Sequence, residues 1–286
     1  MDNENLLFKI SEYAIYLRSE ERSENTVTKY VRDLRAFFSF LGCGEISKEA
    51  VLAWKDALTK GYAPASVNSM LAAVNSFFEW MNLTQFKVKP LKIQREIFIQ
   101  PEKELTKQEY NRLVRAAQAK HNERLALLLQ TICATGIRVS ELRFITAEAV
   151  RTGRATVDCK GKTRTVFLTK ELCKALTRYC RAQNITDGLV FRTAGGTPLD
   201  RCNIWRDMKK LCESAGVERS KVFPHNLRHL FARIYYTLEK DLSRLADLLG
   251  HTSVTTTRIY TMESGTEHIK QLERMGLVLG KKIKTT

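Results

Sequence analysis

Apolar residues recur every three or four positions along the first eighty residues of the chain. This period aligns them on one face of an α-helix, and glycines at positions 42, 44 and 61 mark where the pattern is interrupted. We therefore predict a bundle of four amphipathic helices whose apolar stripes form the core. The positions that define the stripes include Ile10, Leu17, Val27, Leu34, Phe37, Val51, Trp54, Val67, Leu71 and Phe77.

The helical period is lost between residues 83 and 103. Lys87, Lys89, Lys92 and Arg95 alternate there with apolar residues, and two prolines punctuate the run. We predict an extended basic linker whose cations could follow a phosphate backbone. A linker with ordinary solvated lysines is the alternative interpretation.

From residue 104 the chain returns to helices and adds one hairpin. Thr106 and Glu109 show the capping-box pattern that opens a helix, and residues 154–168 alternate as two strands joined at residues 160–162. Further helices are predicted at about 122–134, 170–183 and 201–215, with a short strand at 189–191. The predicted fold class is mainly α with a small β-hairpin. The predicted domains are 1–82, a linker at 83–103, and 104–286.

Composition limits the class of protein. With 286 residues, 44% of them hydrophobic and 27% charged, the chain is long enough for two separate cores. No apolar run approaches a membrane-spanning length, and the acidic N-terminus is unlike a secretory signal. The seven cysteines include no CxxC pair, so we interpret them as small buried residues and expect no structural zinc site. These features predict a soluble cytoplasmic protein.

The net charge of +16 is concentrated in one half of the chain. Residues 1–103 carry 14 Lys and Arg against 13 Asp and Glu, whereas residues 104–286 carry 33 against 18. A basic surplus confined to one domain indicates a face that binds a polyanion, most often nucleic acid. From charge alone, a merely soluble cationic surface is an equal alternative.

Residues 225–260 carry the densest candidate chemistry. His225, Arg228 and His229 occupy positions i, i+3 and i+4, so a helix places them on one face. Gly250 is suited to end the next predicted helix and would project the following histidine out of the helical register. Tyr260 lies on a short helix beyond it. These positions gather a nucleophile, a cation and imidazoles.

A second candidate group stands far upstream, where Arg138 and Glu141 lie three residues apart just after Gly136. A helix would place the two side chains on one face. Taken alone, the pair would be an ordinary surface ion pair.

Three chemistries could use these groups. His225 and His229 have the spacing of a zinc-binding helix, but Asn226 stands where an HExxH motif has its general base and no acidic third ligand is apparent. A basic helix could simply bind phosphate, with Tyr260 as packing. The third chemistry is covalent phosphoryl transfer, in which a phenol attacks a phosphodiester while arginines stabilise charge and imidazoles move protons. Only the third uses all the positions together.

At these positions the chain resembles the tyrosine recombinases, or lambda-integrase family, and most closely its Xer-like, phage and transposon integrases. The segment Ala-Thr-Gly-Ile-Arg-Val-Ser-Glu-Leu from residue 134 is similar to the family's first arginine motif. Pro-His-Asn-Leu-Arg-His from residue 224 resembles its HxxR motif. Leu-Leu-Gly-His from residue 248, followed nine residues later by a tyrosine, resembles its third histidine and nucleophile. The resemblance covers nearly the whole chain, and the ordered set is highly specific.

The resemblance implies a role for each matching residue. Tyr260 would attack the scissile phosphate of DNA and form a 3′-phosphotyrosyl bond. Arg138 and Arg228 would clamp that phosphate, with His251 as a further donor. His225 would act as general base toward the phenol.

A lysine at the hairpin turn completes the implied site. Family members usually carry Gly-Lys-Gly-x-Lys there, whereas this chain has Cys-Lys-Gly-Lys from residue 159 and is one residue shorter. Aligning the Lys-Gly step selects Lys160 to protonate the departing 5′-oxygen, and Lys162 remains the alternative. Glu141 would orient its neighbours, and His229 is assigned a structural role.

The resemblance also implies site-specific strand exchange by a homotetramer on two DNA sites, with no cofactor, metal or ATP. The N-terminal bundle resembles the family's SAM-like core-binding domain, and its near-neutral charge leaves a local DNA face near Arg32, Arg35, Ser66 and Asn68. The segment after Met262 resembles the helix that family members exchange with a neighbouring protomer. Packing within its own chain is the alternative.

Further expectations concern contacts and partners. Lys162, Arg164 and Arg258 join the linker cations as candidate DNA contacts. Accessory DNA-bending or directionality factors are expected partners, and a nucleoid-associated location is expected. The alternatives are a type IB topoisomerase, which the small N-terminal bundle disfavours, and a DNA-binding protein without catalysis, which the complete residue set argues against.

Overall fold

The computed structural model describes residues 3–42, 44–93, 101–159, 162–251, 253–260 and 273–275. The chain forms two compact units, Met1–Arg95 and Glu96–Thr286. Helices dominate both, and the described sheet has two antiparallel strands, so the fold class predicted as mainly α with a small hairpin is confirmed. The boundaries at residues 82 and 104 stay a prediction. Residues 94–100 of the expected linker, Arg95 among them, lie outside the described residues.

The first unit is the predicted four-helix bundle. Its helices are α1 (Asn3–Ser19), α2 (Glu24–Leu41), α3 (Lys48–Thr59) and α4 (Pro64–Trp80). Ser23 and Ser47 cap α2 and α3 by accepting hydrogen bonds from backbone N–H groups of the first turn. The buried rings of Phe37, Trp54 and Phe77 belong to one apolar core. The predicted aromatic stripes are therefore packing residues.

After a 3-10 turn (Thr84–Phe86), residues 87–93 run extended along α4. Asn75 Nδ2 donates to Val88 O at 2.8 Å, and Asn75 Oδ1 accepts from Val88 N at 3.1 Å. Asn68, two turns earlier on the same face of α4, bonds the backbone of Leu91 in the same way, at 2.9 and 2.7 Å. The two side-chain amides therefore bond backbone groups of this extended segment, as a neighbouring strand would. Asn68, a candidate for the DNA face, is therefore bonded to the backbone of its own chain.

The second unit contains the remaining α-helices and both strands of the hairpin. They are α5 (Lys107–Ala119), α6 (Glu123–Thr135), α7 (Ala147–Thr152), β1 (Arg154–Cys159), β2 (Lys162–Phe167), α8 (Lys170–Ala182), α9 (Arg201–Lys209), α10 (Cys212–Ala215), α11 (Pro224–Glu239), α12 (Leu242–Leu249) and α13 (Val254–Thr257). Helix α6 is buried along most of its length and packs against α5, α8 and α11. The Thr106–Glu109 capping box opens α5 as predicted. None of the described helices is long and apolar enough to cross a membrane.

Two local predictions in this unit were wrong. Residues 189–191 form no strand, because Leu189 makes only an isolated bridge to Thr146. Val190 and Phe191 are buried in the core, which explains their strand-like composition. The helix predicted at 201–215 is divided into α9 and α10.

We predict that Asn75→Ala lowers the free energy of unfolding of the first unit by about 1–3 kcal/mol. The substitution leaves the buried N–H and C=O of Val88 unpaired. Urea unfolding can be followed by the fluorescence of Trp54 and Trp80 in a Trp205→Phe background, so that the signal comes from this unit alone.

Gln85→Ala is the matched control, because Gln85 is an exposed amide in the adjacent 3-10 turn. It should change stability by less than about 0.5 kcal/mol. Equal effects of the two substitutions would contradict the structural role of Asn75.

Candidate active site

Gly136 ends α6 in a left-handed conformation, with φ +64°. A Cβ added there would lie 2.5 Å from a ring carbon of Phe231 and 3.0 Å from Leu249, so both backbone and packing require glycine. The chain then enters a 3-10 turn (Val139–Phe144) with Arg138 at its N-cap. This sharp exit from α6 brings Arg138 next to α11 and α12.

The Glu141 carboxylate holds Arg138 through two hydrogen bonds. Its Oε1 accepts from Arg138 Nη1 at 2.8 Å, and its Oε2 accepts from the Arg138 backbone N–H at 2.9 Å. Arg164 of β2 donates a further bond to Oε2 at 2.6 Å. Burial by itself would raise the pKa of this carboxyl, but the Arg138 hydrogen bonds and both guanidinium charges hold it below its ordinary value. Glu141 is therefore ionised at neutral pH.

Arg228 lies at the centre of the site and is only 1% exposed. Its Nη1 donates to Gly136 O at 2.5 Å, and its Nη2 donates to Leu249 O at 2.7 Å and lies 3.0 Å from His251 Nε2. Burial, reinforced by the charge of Arg138, lowers the pKa of Arg228 to about 10, so it stays protonated at neutral pH. Arg228 Nε is buried and has no hydrogen-bond partner among the described residues. The guanidinium thus keeps an unused donor.

The C-terminal end of α12 positions His251, because Gly250 adopts φ +64° and turns the chain out of the helix, as predicted. His251 Nδ1 lies 2.9 Å from Thr257 Oγ1, while its Nε2 faces Arg228. Because a guanidinium only donates, Nε2 must accept, which places the proton of the neutral ring on Nδ1. Burial, followed by the charges of Arg228 and Arg138, lowers the pKa of His251 to about 4. The ring is therefore neutral at pH 7.

Three successive backbone carbonyls at residues 248–250, here called the carbonyl end of α12, each accept a hydrogen bond from a different arginine. The pairs are Leu248 with Arg164 at 2.7 Å, Leu249 with Arg228 at 2.7 Å, and Gly250 with Arg138 at 3.5 Å. The last distance is at the long limit for a hydrogen bond. Since a helix C-terminus carries partial negative charge and unpaired carbonyls, it is a favourable place to collect cations.

Tyr260 is buried, with 4% of its surface exposed, in a small apolar cluster of α11 and α12 residues. Its ring stands edge-on to His229 at 4.9 Å and nearly parallel to His251 at 6.0 Å, measured between centroids. Burial raises the pKa of the phenol, and the positive charge of Arg228 opposes part of that shift. Tyr260 therefore rests as a protonated phenol beside a guanidinium.

His225 and His229 pack edge to face, with centroids 4.5 Å apart, on the face of α11 that carries Arg228. His225 is exposed to solvent at the rim of the site. Burial of its inner side, followed by the nearby His229 and Arg228, lowers the pKa of His225 to about 4. The ring is neutral at pH 7 and has a lone pair that can accept a proton.

Sequence analysis missed Glu104, whose carboxylate contacts α11. Its Oε1 lies 3.9 Å from His229 Nδ1 and its Oε2 lies 3.2 Å from Arg233 Nε. Burial would raise the pKa of Glu104, but these two partners lower it below its ordinary value. No local pattern signals a contact between residues so far apart in sequence. The pairing gives His229, whose ring also packs against Tyr260, an acidic partner.

An open cleft of about 690 Å³ borders Arg138 and Arg228. Helix α9 supplies Arg201, Arg206 and the partly exposed ring of Trp205 to the same cleft. These residues form no sequence motif, and the sequence analysis did not include them. The cleft is a concave, positively charged surface beside the candidate catalytic groups, which suits an anionic ligand.

The structure gathers six of the predicted site residues in one place, namely Arg138, Glu141, His225, Arg228, His251 and Tyr260. Lys160 and the side chain of Lys162 lie outside the described residues. Lys87, Lys89 and Lys92 belong to the first unit, where Lys87 pairs with Glu79 at 3.3 Å. Across the described residues, no three His, Cys, Asp or Glu side chains are grouped so that they could hold a metal ion.

Comparison with known proteins gives a consistent match along the chain. The profile of the phage integrase family matches residues 103–267, and that of the phage integrase N-terminal SAM-like domain matches residues 10–84. The tyrosine recombinase XerA of Pyrococcus furiosus is 29% identical over 280 residues, covering 94% of this chain and 94% of XerA.

Two solved structures show the same fold. The XerH site-specific recombinase bound to difH substrate in a pre-cleavage complex has a TM-score of 0.70 at 19% identity and covers 96% of each chain. A lambda integrase tetramer bound to a Holliday junction has a TM-score of 0.70 at 18% identity, covering 89% of this chain and 76% of that one. The expected pairing of a SAM-like domain with a catalytic domain of this fold is therefore confirmed.

We predict that His225 and His251 titrate near pH 4 in the protein alone, well below the ordinary value of about 6.5. Because the unfolded chain binds these protons first, the two residues should reduce stability as the pH falls from about 6.5 toward 4. Long-range proton–nitrogen NMR of the imidazoles, assigned with His225→Gln and His251→Gln, measures each midpoint and the tautomer.

His251 should carry its proton on Nδ1 at pH 7. In concentrated urea both residues should return to ordinary midpoints, which is the internal control. An Nε2–H tautomer or a folded-state midpoint near 6.5 for His251 would contradict the described hydrogen bonds.

Proposed function

The chain belongs to the phage integrase family, and on that premise we propose that it is a tyrosine recombinase that cuts and rejoins duplex DNA at specific sites. The arrangement around Arg228 carries the proposal. This buried guanidinium lies 3.0 Å from His251 Nε2, its charge lowers the pKa of the Tyr260 phenol, and it shares one cleft with Arg138 and His225. A nucleophile, two phosphate-binding cations and two neutral imidazoles are the groups that phosphoryl transfer to a tyrosine requires.

In the proposed reaction, Tyr260 Oη attacks the phosphorus of a DNA phosphodiester. A bond forms from the phenol oxygen to phosphorus while the bond from phosphorus to the 5′-oxygen breaks. The products are a 3′-phosphotyrosyl protein and a free 5′-hydroxyl, and a 5′-hydroxyl from another strand can reverse the step. Because the new ester conserves the energy of the cleaved bond, we propose that neither ATP nor a metal ion is required.

Arg138 and Arg228 would stabilise the charge that builds on the non-bridging oxygens in the transition state. In the protein alone their donors bond mainly to Glu141 and to the carbonyl end of α12. A scissile phosphate would exchange with part of these internal acceptors and would also meet the unpartnered Nε of Arg228. Planar guanidinium groups suit this task because each presents several donors in fixed directions.

Two groups would move the protons. His225, neutral at pH 7, would accept the proton of Tyr260, and Lys160 would donate a proton to the departing 5′-oxygen. His251 cannot donate from Nε2 while that atom accepts from Arg228. A negative phosphate nearby favours protonation of the ring, which would turn Nε2 into a donor.

The assembly is proposed from the fold. XerH bound to difH and the lambda integrase tetramer on a Holliday junction are DNA complexes of proteins with this fold. We propose that this chain also acts as a homotetramer on paired sites, assisted by DNA-bending or directionality factors, in the nucleoid of the cytoplasm. Most of the segment after Met262, which is expected to exchange between protomers, lies outside the described residues, at positions 263–272 and 276–286. The candidate DNA contacts retained in this proposal are Lys87, Lys89, Lys92, Arg95, Lys162 and Arg258.

We predict that the protein forms a covalent adduct with genomic DNA of its source organism and that Tyr260→Phe abolishes it. Adducts trapped by denaturation and sequenced give the recombination site. The second substrate is a duplex that carries this site and a nick just beyond the scissile phosphate. Cleavage then releases a short fragment that bears the 5′-hydroxyl. This fragment diffuses away before its hydroxyl can reverse the step, so the adduct should accumulate.

Tyr236→Phe is the matched control, since it removes one hydroxyl from α11 close to the site. It should leave adduct formation within about two-fold of wild type. Adduct formation by Tyr260→Phe, or loss of wild-type cleavage in EDTA, would show that the proposed mechanism is wrong. Relaxation of any supercoiled plasmid without site preference would favour a topoisomerase.

We predict that sulfur in place of the bridging 5′-oxygen rescues Lys160→Ala. This variant should cleave the ordinary duplex about 100-fold or more slowly, because the leaving oxygen is not protonated. A thiolate leaves without a proton, so the sulfur duplex should be cleaved within about ten-fold of the wild-type rate.

Arg138→Ala should show no rescue by sulfur, because Arg138 acts on the non-bridging oxygens. Lys162→Ala tests the other lysine of the turn with the same pair of duplexes. If sulfur rescues Lys162→Ala but not Lys160→Ala, the acid is Lys162 and the alignment of the shortened turn is wrong.

A further inference from the structure

The sequence analysis places Arg164 among the candidate DNA contacts, but the side chain of Arg164 is only 14% exposed. Its Nη1 donates to Leu248 O at 2.7 Å, and its Nη2 donates to Glu141 Oε2 at 2.6 Å. The Nε atom is also buried and has no hydrogen-bond partner among the described residues. Both terminal nitrogens of Arg164 therefore point at acceptors of the protein itself.

Arg164 shares the Glu141 carboxylate with Arg138. Glu141 Oε2 accepts from Arg164 and from the Arg138 backbone N–H, while Oε1 accepts from Arg138 Nη1. Arg138 thus bonds both oxygens of Glu141, and the bond from Arg164 adds a third donor that restricts the broad last torsion of the glutamate side chain. That torsion sets the plane of the carboxylate and the direction in which it holds the Arg138 guanidinium.

Arg164 also packs against the turn that carries His251 and donates a hydrogen bond to it. A Cβ added to Gly250 would overlap the Arg164 side chain, with Nε only 2.7 Å away. On the same side, Arg164 bonds Leu248 O, the first of the three carbonyls at the end of α12. His251 follows directly, and its ring must leave this turn at a fixed angle to face Arg228.

We propose that Arg164 is a positioning residue for strand transfer. From β2 it fixes Glu141, and thereby Arg138, and it fixes the turn that presents His251. The inference rests on the proposed function, because it concerns the groups that act on the scissile phosphate.

Two other roles for Arg164 make different predictions. A guanidinium that binds a DNA phosphate contributes affinity and one released counterion, so its loss weakens binding and reduces the salt dependence. A purely structural arginine contributes to the melting temperature and leaves the cleavage rate of the folded fraction unchanged. A positioning residue lowers the rate of the chemical step in the bound state.

The test uses the full chain with three substitutions. Arg164→Met keeps the length of the side chain but removes its donors, and Arg164→Lys keeps the charge but cannot reproduce the planar fork. Arg154→Met is the matched control, because Arg154 lies on β1 of the same hairpin over the exposed ring of Phe167. Each variant is measured for melting temperature, for affinity to a short duplex of arbitrary sequence across a range of salt, and for single-turnover cleavage of the nicked duplex.

We expect Arg164→Met to slow cleavage about 30-fold or more at saturating protein, with duplex affinity and its salt dependence within about two-fold of wild type. Arg164→Lys should recover part of the rate, and Arg154→Met should match wild type. A methylphosphonate at the scissile position removes the non-bridging charge that Arg138 faces. On that duplex Arg164→Met should slow cleavage by only about three-fold or less relative to wild type.

Hydrogen exchange provides a measurement that does not depend on activity. The Gly250 amide bonds Asp247 O at 3.0 Å, and the His251 amide bonds Ala246 O at 2.9 Å. Both amides should exchange faster in Arg164→Met than in the Arg154→Met control. If wild type forms no adduct at all, the proposed function has failed, and the exchange rates alone then test whether Arg164 holds the turn.

Four results would overturn the inference. Weaker duplex binding with a reduced salt dependence would make Arg164 a DNA contact. A lower melting temperature with wild-type cleavage by the folded fraction would make it purely structural. If Arg164→Met slowed cleavage of the methylphosphonate duplex as much as that of the ordinary duplex, Arg164 would not act through Arg138. Wild-type behaviour of Arg164→Met in every assay would show that Arg164 has no role in the site.

Discussion

The hydrogen bonds of three arginines to the carbonyl end of α12 are the interaction on which the candidate site depends. Three guanidinium groups converge on residues 248–250, and like charges at such short separations repel one another strongly in a partly buried setting. The exposed carbonyls of a helix C-terminus and the ionised carboxylate of Glu141 offset that repulsion. Left-handed glycines at positions 136 and 250 allow the chain segments to approach closely enough for these bonds to form.

Burial and this concentration of cations together set the protonation of the other groups. Burial, reinforced by neighbouring charges that include the arginines, keeps His225 and His251 neutral, and burial keeps Tyr260 protonated. An arriving phosphate would bring the negative charge that the site lacks, and it would favour protonation of His251. The donor role proposed for His251 therefore depends on DNA being present, because its Nε2 accepts a hydrogen bond in the protein alone, whereas His225 already has the neutral form that a general base needs.

Sequence reasoning located the elements that depend on local rules. The helix that carries His225 and Arg228, the left-handed end at Gly250 and the hairpin at residues 154–168 follow from periodicity and capping, and all three are confirmed. It could not find contacts made across the fold, such as Glu104 with His229 or Arg164 with Glu141. No fixed sequence spacing relates the two residues of such a pair, since only tertiary packing brings them together. The buried segment at residues 189–191 was mistaken for a strand because burial and strand formation favour the same residues.

If Tyr260 is the nucleophile, as proposed, its burial would separate DNA binding from cleavage. A phenol that is 4% exposed, packed edge-on against His229 and held in an apolar cluster cannot reach a phosphate in the open cleft without a shift of its short 3-10 turn (Arg258–Tyr260). In the proposed mechanism Arg228 would connect the two events, because its donors bond His251 and the carbonyl end of α12 while its charge lowers the pKa of the phenol. A phosphate that drew donors of Arg228 away from these partners would also change the charge that the phenol meets. Binding of the substrate and activation of the proposed nucleophile would then be linked through one guanidinium.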